Sequence, residues 1–144
     1  MTVAAILKHK GNTVTSVRPS TTVADLAAVL ASRRIGAVVV LDQAGHLRGV
    51  ASERDIVTAL AAHGAAALDM TAEQLMTHNI TTATLSTTVA EAMAMMTEGR
   101  FRHLPILAGE TLVGIVSIGD VVKARIMAQE GEVESLRAYV AGTG

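Results

Sequence analysis

The sequence has no cysteine and almost no aromatic residues: one Phe, one Tyr and no Trp among 144 residues. Without cysteine the chain forms no disulfide, no thiolate metal site and no cysteine nucleophile. Without aromatic side chains it lacks the platforms on which single-stranded nucleic acid stacks. The formal net charge of -1 gives no attraction to nucleic acid or to an anionic membrane. We therefore expect no nucleic-acid partner.

Long hydrophobic runs are also missing. The longest one, residues 35–41, is far shorter than the roughly 18 residues that a membrane-spanning helix needs. The apolar run at the N-terminus stops at Lys8, which is too early for the core of a signal peptide. We therefore expect a soluble, cytoplasmic protein with no membrane partner.

Aliphatic residues make up for the missing aromatic ones. Half of the residues are hydrophobic, so the core is expected to consist of Val, Ile, Leu, Ala and Met. The length fits one ordinary domain, or two small units that share a core. Residues 2–10 are expected to form a short helix with Val3, Ile6 and Leu7 on one face.

One short stretch occurs twice, as Gly49–Asp55 and again as Gly114–Asp120. Both copies have a glycine, two apolar residues, a serine, two variable residues and an aspartate, and an apolar-periodic run follows each. The pattern Ser-x-x-Asp before such a run is typical of a capped helix N-terminus. Each copy therefore predicts a strand that ends at the serine and a helix that begins there, with an N-terminus that favours anions.

The repeat extends well beyond this stretch. Residues 21–42 align with residues 87–108, and residues 44–57 align with residues 109–122 after a single gap, with 12 of 36 positions identical. Such a register indicates an internal duplication. We predict one unit at residues 10–65, a second at residues 73–130 and a tail at residues 131–144.

The predicted fold class is α/β in the broad sense (α+β), with the order β-α-β-β-α in each unit. The short strands include residues 80–82. One unit is too small to be stable alone, so we expect two units packed about a pseudo-two-fold axis. The tail has no counterpart in the first unit and is predicted to be an appended helix, with apolar residues at helical spacing: Val133, Leu136, Tyr139 and Val140.

In its element order, its apolar hairpins and its two Gly-h-h-Ser-x-x-Asp junctions (h is apolar), the chain resembles a tandem CBS-domain pair, also called a Bateman module. The resemblance covers residues 10–127 and is to the stand-alone kind of CBS protein. It implies a non-enzymatic sensor that binds an adenosine-containing ligand in the cleft between the two units, most simply AMP, ADP or ATP. It also implies a homodimer and an unidentified protein partner.

The resemblance also implies which residues contact the ligand. The family's ribose-binding aspartate matches Asp55 and Asp120, and its preceding hydroxyl residue matches Ser52 and Ser117. The remaining candidates include one threonine near the first strand of each unit, Thr15 and Thr81. Three basic residues are the candidates for contacting phosphate: Arg54, Arg102 and His103. The two units differ, because Gly36-Ala37 stands where Arg102-His103 stands and Gly119 stands where Arg54 stands. One complete phosphate site, or two unlike ones, is therefore expected.

Other interpretations remain. The two Ser-x-x-Asp pairs are fully explained as helix caps, so the chain is alternatively a ligand-free module for homodimerisation and protein interaction. A further alternative is a binder of S-adenosylmethionine or NAD. The five histidines share no metal-ligand spacing, and no P-loop or serine elbow is present. We therefore expect no metal, no required cofactor and no catalytic residues.

Overall fold

The computed structural model describes the backbone of residues 1–143 and the side chains of residues 1–131. The fold is a mixture of helices and small sheets, and its elements follow the predicted duplication. After helix α1 (Val3–Lys10), the first repeat contains β1 (Ser16–Val17), α2 (Val23–Arg33), β2 (Ala37–Leu41), β3 (Leu47–Ser52), α3 (Glu53–His63), a 3-10 helix (Gly64–Asp69) and α4 (Ala72–Leu75). The second repeat contains α5 (Val89–Gly99), β4 (His103–Ala108), β5 (Thr111–Ser117) and α6 (Ile118–Thr143).

The first-repeat unit comprises residues 13–81 together with residues 109–112. Its sheet has the order β1-β2-β3, in which β1 runs parallel to β2 and β2 runs antiparallel to β3. Strand β2 is the centre of this sheet and is buried from Ala37 to Val40, because its side chains are apolar on both faces. Helices α2 and α3 bury one apolar face each against it, at Val23, Leu26 and Ile56.

The second-repeat unit comprises residues 1–12, residues 82–108 and the chain from residue 113 onward. Its core is formed by α1, α5, the hairpin β4-β5 and the beginning of α6. The N-terminal helix therefore packs with the second repeat rather than with the first repeat, which it precedes in sequence. Three backbone hydrogen bonds fix its beginning there, from Val3 N to Thr87 O (2.8 Å), from Ala4 N to Leu85 O (3.1 Å) and from Val89 N to Met1 O (3.0 Å).

The predicted strand at residues 80–82 is wrong. Only a single parallel bridge, between Ala83 and Ile106, marks this place, with hydrogen bonds from Ala83 N to Pro105 O and from Leu107 N to Ala83 O. Extending the ladder back to Thr81 would require a hydrogen bond from the backbone nitrogen of Pro105. Proline has no N–H, so the ladder cannot grow in that direction.

The tail is helical, as predicted, but it is not a separate element. Helix α6 runs without interruption from Ile118 to Thr143. The predicted apolar residues of the tail, Val133, Leu136, Tyr139 and Val140, have side chains that lie outside the described residues. None of the helices in the described part of the chain combines the length and hydrophobicity that crossing a membrane requires.

Candidate functional site

The first candidate corner lies where β3 passes into α3. Ser52 is the N-cap residue, and its Oγ accepts a hydrogen bond from Asp55 N at 3.3 Å. In turn, Asp55 Oδ2 accepts hydrogen bonds from Ser52 N (2.9 Å) and from Ser52 Oγ (3.0 Å). This is the reciprocal capping box that the spacing predicted. Both residues are half-buried, so the carboxylate is held rigidly and remains within reach of solvent.

The second corner, between β5 and α6, repeats this geometry. Ser117 Oγ accepts from Asp120 N at 3.1 Å, and Asp120 Oδ2 accepts from Ser117 N at 2.8 Å. Here a cation joins the pair, because Lys10 Nζ at the end of α1 lies 2.6 Å from Asp120 Oδ2. The same ammonium donates to the carbonyl oxygen of Ile115 at 3.0 Å.

The ion pair changes the acidity of Asp120. Partial burial acts to raise the pKa of this carboxyl group. The hydrogen bonds from Lys10 and Ser117, together with the charge of Lys10, outweigh that effect and hold the pKa of Asp120 below its ordinary value. Asp120 is therefore a carboxylate at neutral pH, where its Oδ2 already accepts hydrogen bonds from an ammonium and a backbone N–H.

The glycine that opens each repeated stretch has a packing function. A Cβ on Gly49 would lie 2.7 Å from Met76 Sδ and 2.7 Å from Thr77 O, whereas a Cβ on Gly114 would lie 2.7 Å from both methyl carbons of Leu7. In each repeat a separate segment therefore crosses the last strand at the glycine, just before the serine. In the second repeat that segment is α1, which brings Lys10 to the corner.

The basic candidates lie beside the helix N-termini, in different ways in the two repeats. The carbonyl of Arg102 accepts from Ile118 N at 2.8 Å, and Gly36 holds the matching position, accepting from Glu53 N at 3.0 Å. Arg102 is exposed, and His103 is the half-buried first residue of β4. Within residues 1–131, the cation that pairs with Asp120 is thus Lys10 and not Arg102.

The remaining candidates are placed less closely. Arg54 is exposed at the second position of α3. Thr15 precedes β1 and lies at the same end of the first-repeat sheet as Ser52, because Ser16 pairs with Val39 and Ala37 pairs with Ser52. Thr81 is exposed, two residues before the bridge at Ala83. The ligand-contacting roles of all these residues stay predictions.

Sequence reasoning missed Lys10. The basic run Lys8-His9-Lys10 is visible at the end of the predicted first helix, but nothing in its spacing connects it to an aspartate 110 positions later. Within the part of the chain whose side chains are described, no group of three or more His, Asp or Glu residues is arranged to hold a metal ion.

The fold and the two corners define a tandem CBS-domain module, and comparisons with known proteins agree. The CBS domain family matches residues 11–62 and residues 72–127. A mitochondrial CBS domain-containing protein of Arabidopsis thaliana, CBSX3, is 30% identical over 98% of this chain and 72% of its own length.

Solved structures give the same result. The crystal structure of a CBS-domain containing protein from Agrobacterium tumefaciens is 43% identical, covers 86% of this chain and 92% of its own, and has a TM-score of 0.84. CBSX2, solved in complex with AMP, is 28% identical over 81% of this chain and 90% of its own, with a TM-score of 0.70.

The chain belongs to the CBS domain family and contains two copies of the domain. CBS domains are generally regulatory, non-catalytic modules, and this protein is a CBS-pair regulatory module.

Proposed function

We propose that this protein is a non-enzymatic sensor that binds an adenosine-containing ligand of the AMP, ADP or ATP type through the carboxylates of Asp55 and Asp120. The observation that carries the proposal is the pair of matching corners, each with an aspartate held at a helix N-terminus by the preceding serine. The AMP complex of the related CBSX2 supports the ligand class.

The geometry of Asp55 suits a ribose. Among the described residues, every hydrogen bond to the Asp55 side chain goes to Oδ2, which leaves Oδ1 for the ligand. A vicinal diol offers two O–H donors, and an ionised carboxylate is a pure acceptor with two oxygens. The N-terminus of α3 favours a negative charge close by, so a phosphate on the same ligand is attracted too.

The proposed phosphate contacts come from basic residues that belong to the same corners, of which Arg54 and Arg102 are exposed and His103 is half-buried. Arg54 is adjacent to Asp55, and the Arg102 carbonyl accepts a hydrogen bond from the backbone N–H of Ile118, the first residue of α6. We propose that Arg54, Arg102 and His103 contact phosphate and that Thr15 and Thr81 contribute hydroxyl groups. The ligand would act by population shift, and its effect is limited to the difference in its affinity for two conformations of the module.

The test is isothermal titration of the full chain with AMP, ADP, ATP, NAD and S-adenosylmethionine, using Asp55→Asn and Asp120→Asn as variants. Asparagine at the third helical position keeps one amide oxygen that can accept from the backbone N–H of the N-cap serine, but it has no charge and no second acceptor oxygen. Each variant should therefore keep its fold and lose the ribose contact at its own corner. A ligand at 100 times its dissociation constant should also stabilise the wild type by ~2.7 kcal/mol in a thermal-shift experiment.

We expect an adenine nucleotide to bind the wild type and the double variant to lose that binding. If NAD or S-adenosylmethionine binds instead, the ligand class changes while the site remains. If none of the five ligands binds, the sensor proposal is overturned, and the aspartates act as caps in a ligand-free interaction module.

We also propose that the protein forms a homodimer through apolar residues on α3 and α6. Val57 and Val122 occupy equivalent positions of the two repeats and are 65% and 40% exposed. Ile126, one turn after Val122, is 50% exposed. We propose that each repeat uses this exposed aliphatic position of its own helix to contact a second copy of the chain, which offers the same side chains.

A further inference from the structure

The two aspartates that we propose as ribose ligands differ in their charged neighbours. Asp120 Oδ2 accepts a hydrogen bond from Lys10 Nζ at 2.6 Å. Among the side chains of residues 1–131, no Lys, Arg or His forms an ion pair with Asp55. The corners are thus alike in their caps and unlike in their charge.

The position of Lys10 is fixed by packing elsewhere in α1. The helix is fastened at its start by Val3 N donating to Thr87 O. In its middle, buried Leu7 lies against Gly114, where any larger residue would collide with it. Lys10 follows three residues later, about one helical turn, and Gly11 then ends the helix with a φ of 98°. The ammonium therefore reaches Asp120 because the helix is held in place at two other points.

The ammonium competes with a ribose for the same carboxylate. Lys10 and Ser117 N both donate to Oδ2 of Asp120, so a diol that needs both oxygens must displace Lys10 or share Oδ2 with it. A displaced ammonium loses a charged partner, which weakens the binding of a neutral ligand. A phosphate gives the ammonium a new anionic partner, and the Lys10 side chain can reach it because a lysine stem is long and flexible.

We propose that Lys10 makes the Asp120 corner selective for phosphorylated nucleosides over neutral nucleosides by exchanging its bond to Asp120 for a bond to the ligand's phosphate. This rests on the proposed function, because it assumes that Asp120 binds ribose. At the Asp55 corner no cation of the described residues competes with a ligand: Oδ2 accepts only from Ser52 N and Ser52 Oγ, and Arg54 lies beside Asp55 without an ion pair to it. A neutral nucleoside therefore binds at Asp55 without displacing a cation.

The test is isothermal titration with adenosine and with AMP in the Asp55→Asn background, which isolates the Asp120 corner. There we expect AMP to bind at least about tenfold more tightly than adenosine, since hydrogen bonds between charged groups are the strong ones. Adding Lys10→Met should strengthen adenosine binding and weaken AMP binding, so that the ratio of the adenosine dissociation constant to the AMP dissociation constant falls towards one. Lys8→Met, two residues away in the same last turn of α1, is the matched control and should leave the ratio unchanged.

The rise in adenosine affinity is the decisive measurement. If Lys10→Met weakens AMP binding and leaves adenosine binding unchanged, the competition that we propose does not exist. If the ratio is the same with and without Lys10, its role in selectivity is overturned while the sensor proposal survives. If the wild type binds neither ligand, both proposals fail together. In the Asp120→Asn background, which isolates the Asp55 corner, Lys10→Met should have no effect on either ligand.

Discussion

Leu7 lies directly against Gly114, so closely that a Cβ at position 114 would be 2.7 Å from both of its methyl carbons. This contact joins the N-terminal helix to the last strand of the second repeat, and it explains why the repeated stretch opens with glycine. Gly49 has the same role in the first repeat, where its neighbours are Met76 and the backbone oxygen of Thr77.

Replacing either glycine by alanine should therefore destabilise the protein. We expect Gly49→Ala to cost about 1–3 kcal/mol of unfolding free energy, as overpacking does. Gly114→Ala should cost less, because the Leu7 methyl groups can shift more easily than the backbone of Thr77. Urea unfolding measures both. Gly131→Ala is the control, since a Cβ there meets nothing within 4 Å and alanine favours helix. Equal stability of all three variants would contradict the packing role.

Two arginines at equivalent repeat positions adopt a left-handed backbone conformation. Arg34 ends α2 with φ 54° and ψ 46°, and Arg100 ends α5 with φ 56° and ψ 41°. This conformation is unfavourable for a residue with a Cβ and costs nothing sterically for glycine. Arg34→Gly and Arg100→Gly should each raise the thermal midpoint, because each should increase the free energy of unfolding by about 0.5–1 kcal/mol. Arg33→Gly, in the last helical turn of α2, should lower it, and the same sign for Arg33→Gly and Arg34→Gly would refute the explanation.

The ion pair of Lys10 with Asp120 should make stability depend on pH at the acid end. The pKa of Asp120 is lowered in the folded state, so this group stabilises the fold above its ordinary value of 3.8 and loses that effect as pH falls below it. The side chains are 38% and 25% exposed, so we expect Lys10→Met to cost at most about 1 kcal/mol at pH 7.

Urea unfolding at pH 7, 5 and 3 measures this dependence. The difference in unfolding free energy between wild type and Lys10→Met should be similar at pH 7 and pH 5 and smaller at pH 3. Lys8→Met should show no difference of this kind. A difference that stays constant down to pH 3 would mean that Lys10 stabilises α1 only through the carbonyl of Ile115.

The proposed dimer can be tested by sedimentation velocity. Val57→Glu and Val122→Glu place a charge on the exposed apolar positions of α3 and α6, and burying that charge against a second copy would be costly. We expect the wild type to sediment as a dimer and both variants as monomers. Leu85→Glu is the control, because Leu85 is 39% exposed but lies outside both helices. A monomeric wild type would overturn the proposal.

The sequence was most informative where structure is local. The capping pairs Ser52 with Asp55 and Ser117 with Asp120 form as their spacing predicted, because partners three residues apart meet in the first turn of any helix. The strand at residues 80–82 failed because whether a ladder extends depends on the partner strand, where Pro105 has no N–H to donate.

By itself, the sequence therefore determined the duplication, the element order apart from the strand at residues 80–82, the two serine-aspartate corners and the resemblance to a CBS pair. Only the tertiary structure decided that α1 packs on the second repeat and that Lys10 reaches Asp120, across 110 positions of chain. The physical reason is that this contact depends on Leu7 fitting over Gly114, and packing between distant segments has no period that a sequence displays. The difference between the two corners, on which the proposed selectivity rests, comes from that contact.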